Sequence, residues 1–179
     1  MKKLLIILIL MLTIVGCTTT NETEDPIKDP IVDNNENTNE AKNITLAEIL
    51  VKIDEKETFV IMFEMDGCPW CLEALPVYKD TATKNDANTY YMNFSDEQDK
   101  ESFQEEFDQL VELLKDHIEF DGEGYPMFYV PSAYFFLNGE IVLDHTGTVT
   151  THDPAKAKMT SEQIEELHAI YQEGYDLIQ

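Results

Sequence analysis

The chain has 179 residues with Lys+Arg 12 against Asp+Glu 36, a formal net charge of −24, so it has room for one ordinary domain with extensions but not for two. Every cation is a lysine and no arginine occurs, which leaves no basic face to neutralise phosphates and excludes nucleic acid as an expected partner. At 43% hydrophobic and 10% aromatic the chain is too apolar to be disordered throughout, and three cysteines are too few for a disulfide scaffold or a four-cysteine zinc site.

The N-terminus reads as a secretory signal over residues 1–16: Lys2 and Lys3, an apolar run from Leu4 to Val15, then Gly16 directly before Cys17. The run is far short of the roughly 20 residues a transmembrane helix needs. Ile14-Val15-Gly16-Cys17 resembles the bacterial lipoprotein box, whose cysteine is diacylated and becomes the first residue of the mature chain. That resemblance makes Cys17 a lipidation site and the membrane a partner through the anchor, with the domain on the extracytoplasmic face. Two acyl chains are what stable anchoring requires. Loss of Lys2 and Lys3 takes the charge from −24 to −26, so the lipid, and not the protein surface, would hold the chain to the membrane.

Residues 17–43, rich in Thr, Asn, Glu, Asp and Pro, read as a disordered, extended tether after the lipidated cysteine. The folded unit expected is 44–179.

Thr45 and Glu48 have capping-box spacing ahead of Leu46, Ile49, Leu50 and Ile53, which predicts a first amphipathic helix. Thr58 to Glu64 is a nearly continuous apolar run, as for a strand buried on both faces. After a turn at Asp66-Gly67 come Cys68-Pro69-Trp70-Cys71 and a second helix that Pro76 should kink. Residues 88–94 predict another strand, and 95–119 a long acidic helix or helix pair with Phe103, Phe107, Leu110, Leu113, Leu114 and Ile118 on one face. A glycine-rich turn at 121–124 precedes an apolar stretch, 127–137, broken by Pro131. Asn138-Gly139 marks a hairpin into the strand beginning at Glu140. Thr160 and Gln163 cap a final helix whose Ile164, Leu167, Ile170, Tyr171 and Leu177 would cover a sheet face. The order α, β, α, β, α, β, β, α predicts an α/β domain, a small mixed sheet with helices on both faces.

Cys68 and Cys71 carry the chemistry because they follow a buried strand and open a helix. Backbone N–H groups and the positive end of the helix dipole stabilise a thiolate at that place. Pro69 suits the first helical turn, where its missing N–H costs nothing. Cys68 is the expected nucleophile. Cys71, one turn on, is placed to resolve a mixed disulfide, and Trp70 would present a flat apolar surface to a peptide or protein substrate. A purely structural disulfide and a metal site are the alternatives. The short loop gains little from a crosslink, and two thiolates without a paired His-x-x-x-His leave a tetrahedral site half empty.

These features together resemble the thioredoxin superfamily over most of residues 44–179. Pro76 lies eight residues after Cys68, Val130-Pro131-Ser132 is similar to the Ile-Pro-Thr segment of that family, and Asn138-Gly139 and Gly147 follow at the matching distances. The resemblance implies a thioredoxin fold, a cis proline at Pro131 beside the cysteines, Val130 offering backbone hydrogen bonds to an extended substrate, and thiol-disulfide exchange with protein or peptide partners, without a cofactor or metal. Tyr125-Pro126 is the competing proline but lies five residues too far from Asn138-Gly139. Where the family has a buried carboxylate six residues before the first cysteine, this chain has Met62, and Glu64, of the same strand parity, is the candidate replacement as proton acceptor. The segment 95–124 is longer than its counterpart, which predicts a helical insertion at an edge or beside the substrate groove. With the lipoprotein box it resembles thioredoxin-like proteins of Gram-positive bacteria, including bacteriocin transport accessory proteins. An accessory module that holds a secreted peptide without redox chemistry is the alternative function.

His117, His145, His152 and His168 are scattered and carry no assigned role. The acidic residues of 96–123 read as a solvated helix face, with selection of basic substrates as the lesser alternative. Met62, Met65, Met92 and Met127 read as core filler rather than copper ligands.

Overall fold

A computed structural model describes residues 39–179. The signal segment 1–16, the lipidation site Cys17 and the tether up to residue 38 lie outside the described residues.

The main sheet is built from β1 (Lys42–Asn43), β2 (Phe59–Glu64), β3 (Thr89–Asn93), β6 (Ser132–Leu137) and β7 (Glu140–Thr146), in the order β1-β3-β2-β6-β7. The strands β1, β3 and β2 run parallel to one another, while β6 is antiparallel to β2 and β7 to β6. Lys42 and Asn43 form the sheet edge against Tyr90 and Tyr91, so regular structure starts ahead of Ile44, inside the segment read as tether.

β2 sits in the middle because its side chains need cover on both faces. Val60 and Met62 face a core cluster with Ala74 and Tyr78 of α2 (Pro69–Thr83) and Leu167, Tyr171 and Tyr175 of α5 (Ser161–Leu177). Phe59, Ile61 and Phe63 face the other side. There they pack with Leu46, Ile49 and Ile53 of α1 (Leu46–Asp54) and Leu110 and Leu114 of α4 (Phe103–Leu114). The expected mixed sheet with helices on both faces is the observed architecture.

Local signals hold at several joints. Thr45–Glu48 and Thr160–Gln163 form complete capping boxes on α1 and α5. Asn138 (φ 53°) and Gly139 (φ 81°) both take left-handed backbone in the β6–β7 turn, which lies against α1: a Cβ on Gly139 would meet the Lys56 Cα at 2.9 Å.

The acidic segment divides into α3 (Phe94–Glu97) and α4, the pair allowed by the sequence. The break follows from Glu97, whose buried carboxylate accepts from the Leu46 N–H (3.4 Å) and pairs with Lys100 (2.5 Å), ending α3 against the start of α1. Leu113 is exposed, and so is Leu177, whose place in the core is taken by Tyr175 and Ile178. The insertion also holds a small hairpin that the glycine turn alone did not predict, β4 (Glu119–Phe120) paired with β5 (Pro126–Met127). Its strands are too short for a periodicity signal. Two of the four methionines are not core filler: Met62 and Met92 are buried, but Met65 and Met127 are exposed, because each lies on a loop or edge with no facing element.

Gly174 of α5 faces the fully buried Phe135 ring, whose carbons would lie 2.5 to 2.6 Å from an added Cβ. Helix propensity alone favours Ala over Gly by up to about 1 kcal/mol. The ring cannot yield freely, being held edge-on by Tyr175 with centroids 5.4 Å apart. Gly174→Ala is therefore expected to destabilise the fold by about 1–2 kcal/mol, read as a lowered urea midpoint, since overpacking outweighs propensity. A raised midpoint would refute this seating of α5.

Candidate functional site

β2 delivers the chain to the helix that carries the cysteines. Past Glu64 the backbone turns at Asp66-Gly67, where Gly67 takes φ 73°, and the Cys68 N–H donates to the Met65 carbonyl (3.3 Å). The turn is held from outside by the Asp66 N–H, which donates to Ser95 Oγ (3.1 Å), and by Asn93 Nδ2, which donates to the Asp66 carboxylate (2.8 Å). Cys68 is the N-cap of α2 with Pro69 as the first helical residue.

Cys68 and Cys71 are joined by a disulfide, with Cα atoms 5.2 Å apart. The Cys71 N–H points at Cys68 Sγ (3.1 Å), so a free N–H of the first helical turn is already directed at that sulfur. In the reduced state the same donor and the helix dipole favour thiolate on Cys68. Exposure separates the two roles: Cys68 retains 9% and Cys71 2%. Trp70, between them, is 41% exposed.

The Val130–Pro131 peptide bond is cis, and the Val130 carbonyl oxygen lies 3.5 Å from Cys68 Sγ. Pro131 is buried, and its carbonyl accepts from the Gly147 N–H (2.7 Å), which ties this loop to the end of β7. The sequence-predicted residues Cys68, Cys71, Val130 and Pro131 thus meet at one end of the sheet, with Trp70 at the surface beside them.

Glu64 stands apart. It lies at the end of β2 on the face of Val60 and Met62, half-buried and opposite Asn93, and no hydrogen bond among the described residues links it to either cysteine. Burial, with the Asp66 and Asp96 carboxylates nearby, raises its pKa against the opposing pull of Lys79. A raised carboxyl pKa is the direction that proton exchange near neutral pH needs. The fully buried position is held by Met62, which cannot exchange a proton.

Met65, Met127 and Tyr129 also belong to the site's rim, all of them exposed. For Met127 and Tyr129 the signal in the sequence was alternation: Phe128 turns inward between them. Apolar residues assigned by default to the core hid it.

The strand order β1-β3-β2-β6-β7, a Cys-x-x-Cys opening the helix after the central strand, and a cis proline facing it at the start of β6 decide the architecture. This is a thioredoxin fold. Thioredoxin-fold structures are also what comparison returns. Thioredoxin O2 from Arabidopsis thaliana in the oxidized state is 17% identical over 76% of this chain and 96% of that chain, with a TM-score of 0.48. Thioredoxin from Aeropyrum pernix is 16% identical over 72% and 85% (TM-score 0.41), and thioredoxin f2 of Chlamydomonas reinhardtii 16% over 60% and 83% (TM-score 0.42). Overlaps of this extent bring no activity to the chain, and the thioredoxin-fold reading rests on its own topology and site. No family model and no curated protein matches the sequence.

The raised Glu64 pKa has a consequence for stability. The folded state holds this proton more tightly than the unfolded chain, so the contribution is complete below the unfolded pKa and is lost as pH rises through the raised folded value. At pH 7 the ionised carboxylate opposes folding. Glu64→Gln should raise the urea midpoint at pH 7, and its advantage should shrink as pH falls through the carboxylate range. An advantage that does not change with pH would show that Glu64 titrates like a free carboxyl.

Proposed function

We propose that this protein is a lipid-anchored, extracytoplasmic thiol-disulfide oxidoreductase acting on secreted or membrane proteins through Cys68 and Cys71. The observation that carries the redox part is a cysteine pair at disulfide distance, its outer sulfur capped by the Cys71 N–H in the first turn of α2 and 3.5 Å from the carbonyl before a cis proline.

In the reducing direction the Cys68 thiolate attacks one sulfur of a substrate disulfide. A Cys68–substrate disulfide forms, and the other substrate sulfur leaves as thiolate. Cys71, deprotonated, then attacks Cys68 Sγ, forming the Cys68–Cys71 disulfide and releasing the second substrate thiolate. Two electrons pass from the pair to the substrate, and two protons restore the substrate thiols. The oxidising direction is the same sequence reversed. Glu64 is proposed to exchange the proton of Cys71 through solvent. Trp70 and the Val130 backbone are proposed to hold the substrate chain, with thiol and disulfide proteins as partners and a separate protein replenishing the electrons.

Redox titration of the full chain against glutathione and dithiothreitol buffers, reading alkylation of Cys68 and Cys71 by peptide mass, tests the chemistry. A reversible two-electron transition is expected, with a potential near about −270 mV marking a reductant and near about −120 mV an oxidant. Cys68→Ser should abolish disulfide exchange with a protein substrate, while Cys71→Ser should accumulate the mixed disulfide. A pair that stays oxidised under strong reductant while the protein remains folded would instead make the chain a non-catalytic module that holds a peptide.

The anchor rests on Ile14-Val15-Gly16-Cys17. Cys17→Ser is expected to move the protein out of the detergent phase on phase partitioning and to abolish incorporation of labelled fatty acid. Unchanged partitioning and labelling would refute lipidation at this residue.

A further inference from the structure

The hairpin of the insertion runs on into Val130, whose carbonyl lies against Cys68, and it is unusual in what it exposes. Phe120 (45%), Tyr125 (65%), Met127 and Tyr129 (49%) are all open to solvent, although Phe128 among them is half-buried and packs against the core. Its ring packs against Phe63, Phe94 and Phe107, with centroids 5.3, 5.3 and 5.8 Å away. The strip is also shaped from within. The Asp121 carboxylate accepts from the Glu123 and Tyr125 N–H groups (2.9 and 2.8 Å), and the Asp121 N–H donates to the Tyr125 carbonyl (3.0 Å). Exposed aromatic side chains on a braced hairpin form a contact surface already arranged before anything binds.

This strip leads into the redox site. Val130 follows Met127 by three positions, so even a fully extended chain places Met127 within about 11 Å of the residue whose carbonyl touches Cys68 Sγ. By the same limit Tyr125, five positions before Val130, lies within about 18 Å of it, a span that about six extended substrate residues cover.

Charge selects the occupant. Glu119, Asp121 and Glu123 are interleaved with the aromatic residues, and none of the three forms a salt bridge among the described residues. No Lys or Arg occurs between Lys115 and Lys156, and none between Lys56 and Lys79, the stretch that contains the redox motif with Glu64, Asp66 and Glu73. An anionic lipid surface or a second copy of a chain with net charge −24 would be repelled.

We propose that the exposed face of the 119–129 segment is a docking strip for an extended, cationic, partly apolar polypeptide segment, which it lays across the Cys68–Cys71 pair. Lysines or arginines on that segment meet Glu119, Asp121 and Glu123, while its apolar side chains cover Phe120, Tyr125, Met127 and Tyr129. The inference deepens the redox reading by naming the substrate class, and it rests on that reading for what happens to a cysteine once bound.

The test separates docking from chemistry by using two peptide pairs. Each peptide has leucines beside a central residue and either lysines or glutamates at both ends. With Ser at the centre, binding to the oxidised full chain is read from the fluorescence of Trp70, the one tryptophan of the sequence. With Cys at the centre, the peptide is supplied as its symmetrical disulfide dimer. The Cys68 thiolate of the Cys71→Ser variant attacks one sulfur, the other peptide leaves as thiolate, and the Cys68–peptide disulfide is read by mass. The lysine peptide is expected to bind and react about tenfold or more better than the glutamate peptide at low ionic strength, with the preference shrinking as salt rises. Glu119→Gln/Asp121→Asn/Glu123→Gln, whose amide oxygen at position 121 can still accept the turn hydrogen bonds, should cut that ratio at least about threefold. Phe120→Ser/Tyr125→Ser should weaken binding of the lysine peptide. Equal binding of the two serine peptides, a ratio untouched by the triple variant, or self-association that shields Trp70 without peptide would overturn the docking strip. Preferential binding of the lysine peptide without any mixed disulfide would support the strip and count against the redox reading instead.

Discussion

A strand with no polar face has to be covered on both sides, and β2 is such a strand. Its alternating Val60/Met62 and Phe59/Ile61/Phe63 sets demand helices above and below. That demand puts α2 and α5 on one face and α1 and α4 on the other, and it places β2 in the middle of the sheet. Because β6 runs antiparallel to β2, with Phe63 opposite Ser132, the chain leaving Glu64 emerges beside the start of β6. The Cys68–Cys71 pair and the Val130–Pro131 bond meet there as a result of sheet order, with no direct sequence relation between them. Burial of β2 thus fixes the position of the redox site.

The site is polarised in two senses. The local field is positive at the sulfur, where the Cys71 N–H in the first turn of α2 points at Cys68. The wider field is negative, since the flanking strand end, turn and hairpin carry carboxylates without intervening cations. The short-range donors act at contact distance and are barely screened, whereas the carboxylates act through solvent and weaken with salt. A thiolate can therefore be stabilised at its own atom while the surroundings discriminate among the chains that approach it.

Sequence patterning made the framework legible where a rule is local. The two capping boxes, the buried run at 58–64, Asn138-Gly139 and the Cys-Pro-Trp-Cys helix start each bring their own constraint within a few residues, and each takes its expected place. What escaped depended on partners distant in sequence. The division between α3 and α4 turns on Glu97 reaching the start of α1, a contact across 51 positions. The two-residue pairing of β4 with β5 has too little length for alternation to register. Met65 and Met127 looked like core because apolar identity says nothing about whether an element faces them. In the candidate site, the cysteines were legible from their place between a buried strand and a helix start, and Pro131 through the family resemblance of its surroundings. Glu64 was legible only as a matter of strand parity, which places a side chain on a face without saying how near it comes to a sulfur.

Unequal access to the two sulfurs bears on how the reduced protein would withstand peroxide. The outer sulfur, at Cys68, meets a small oxidant first and becomes a sulfenic acid. Its partner is one helical turn away and already within bonding reach, so condensation with loss of water competes with a second encounter in solution. Oxidative damage is thereby diverted into the same disulfide that the proposed exchange would form, and any reductant of that disulfide also repairs it.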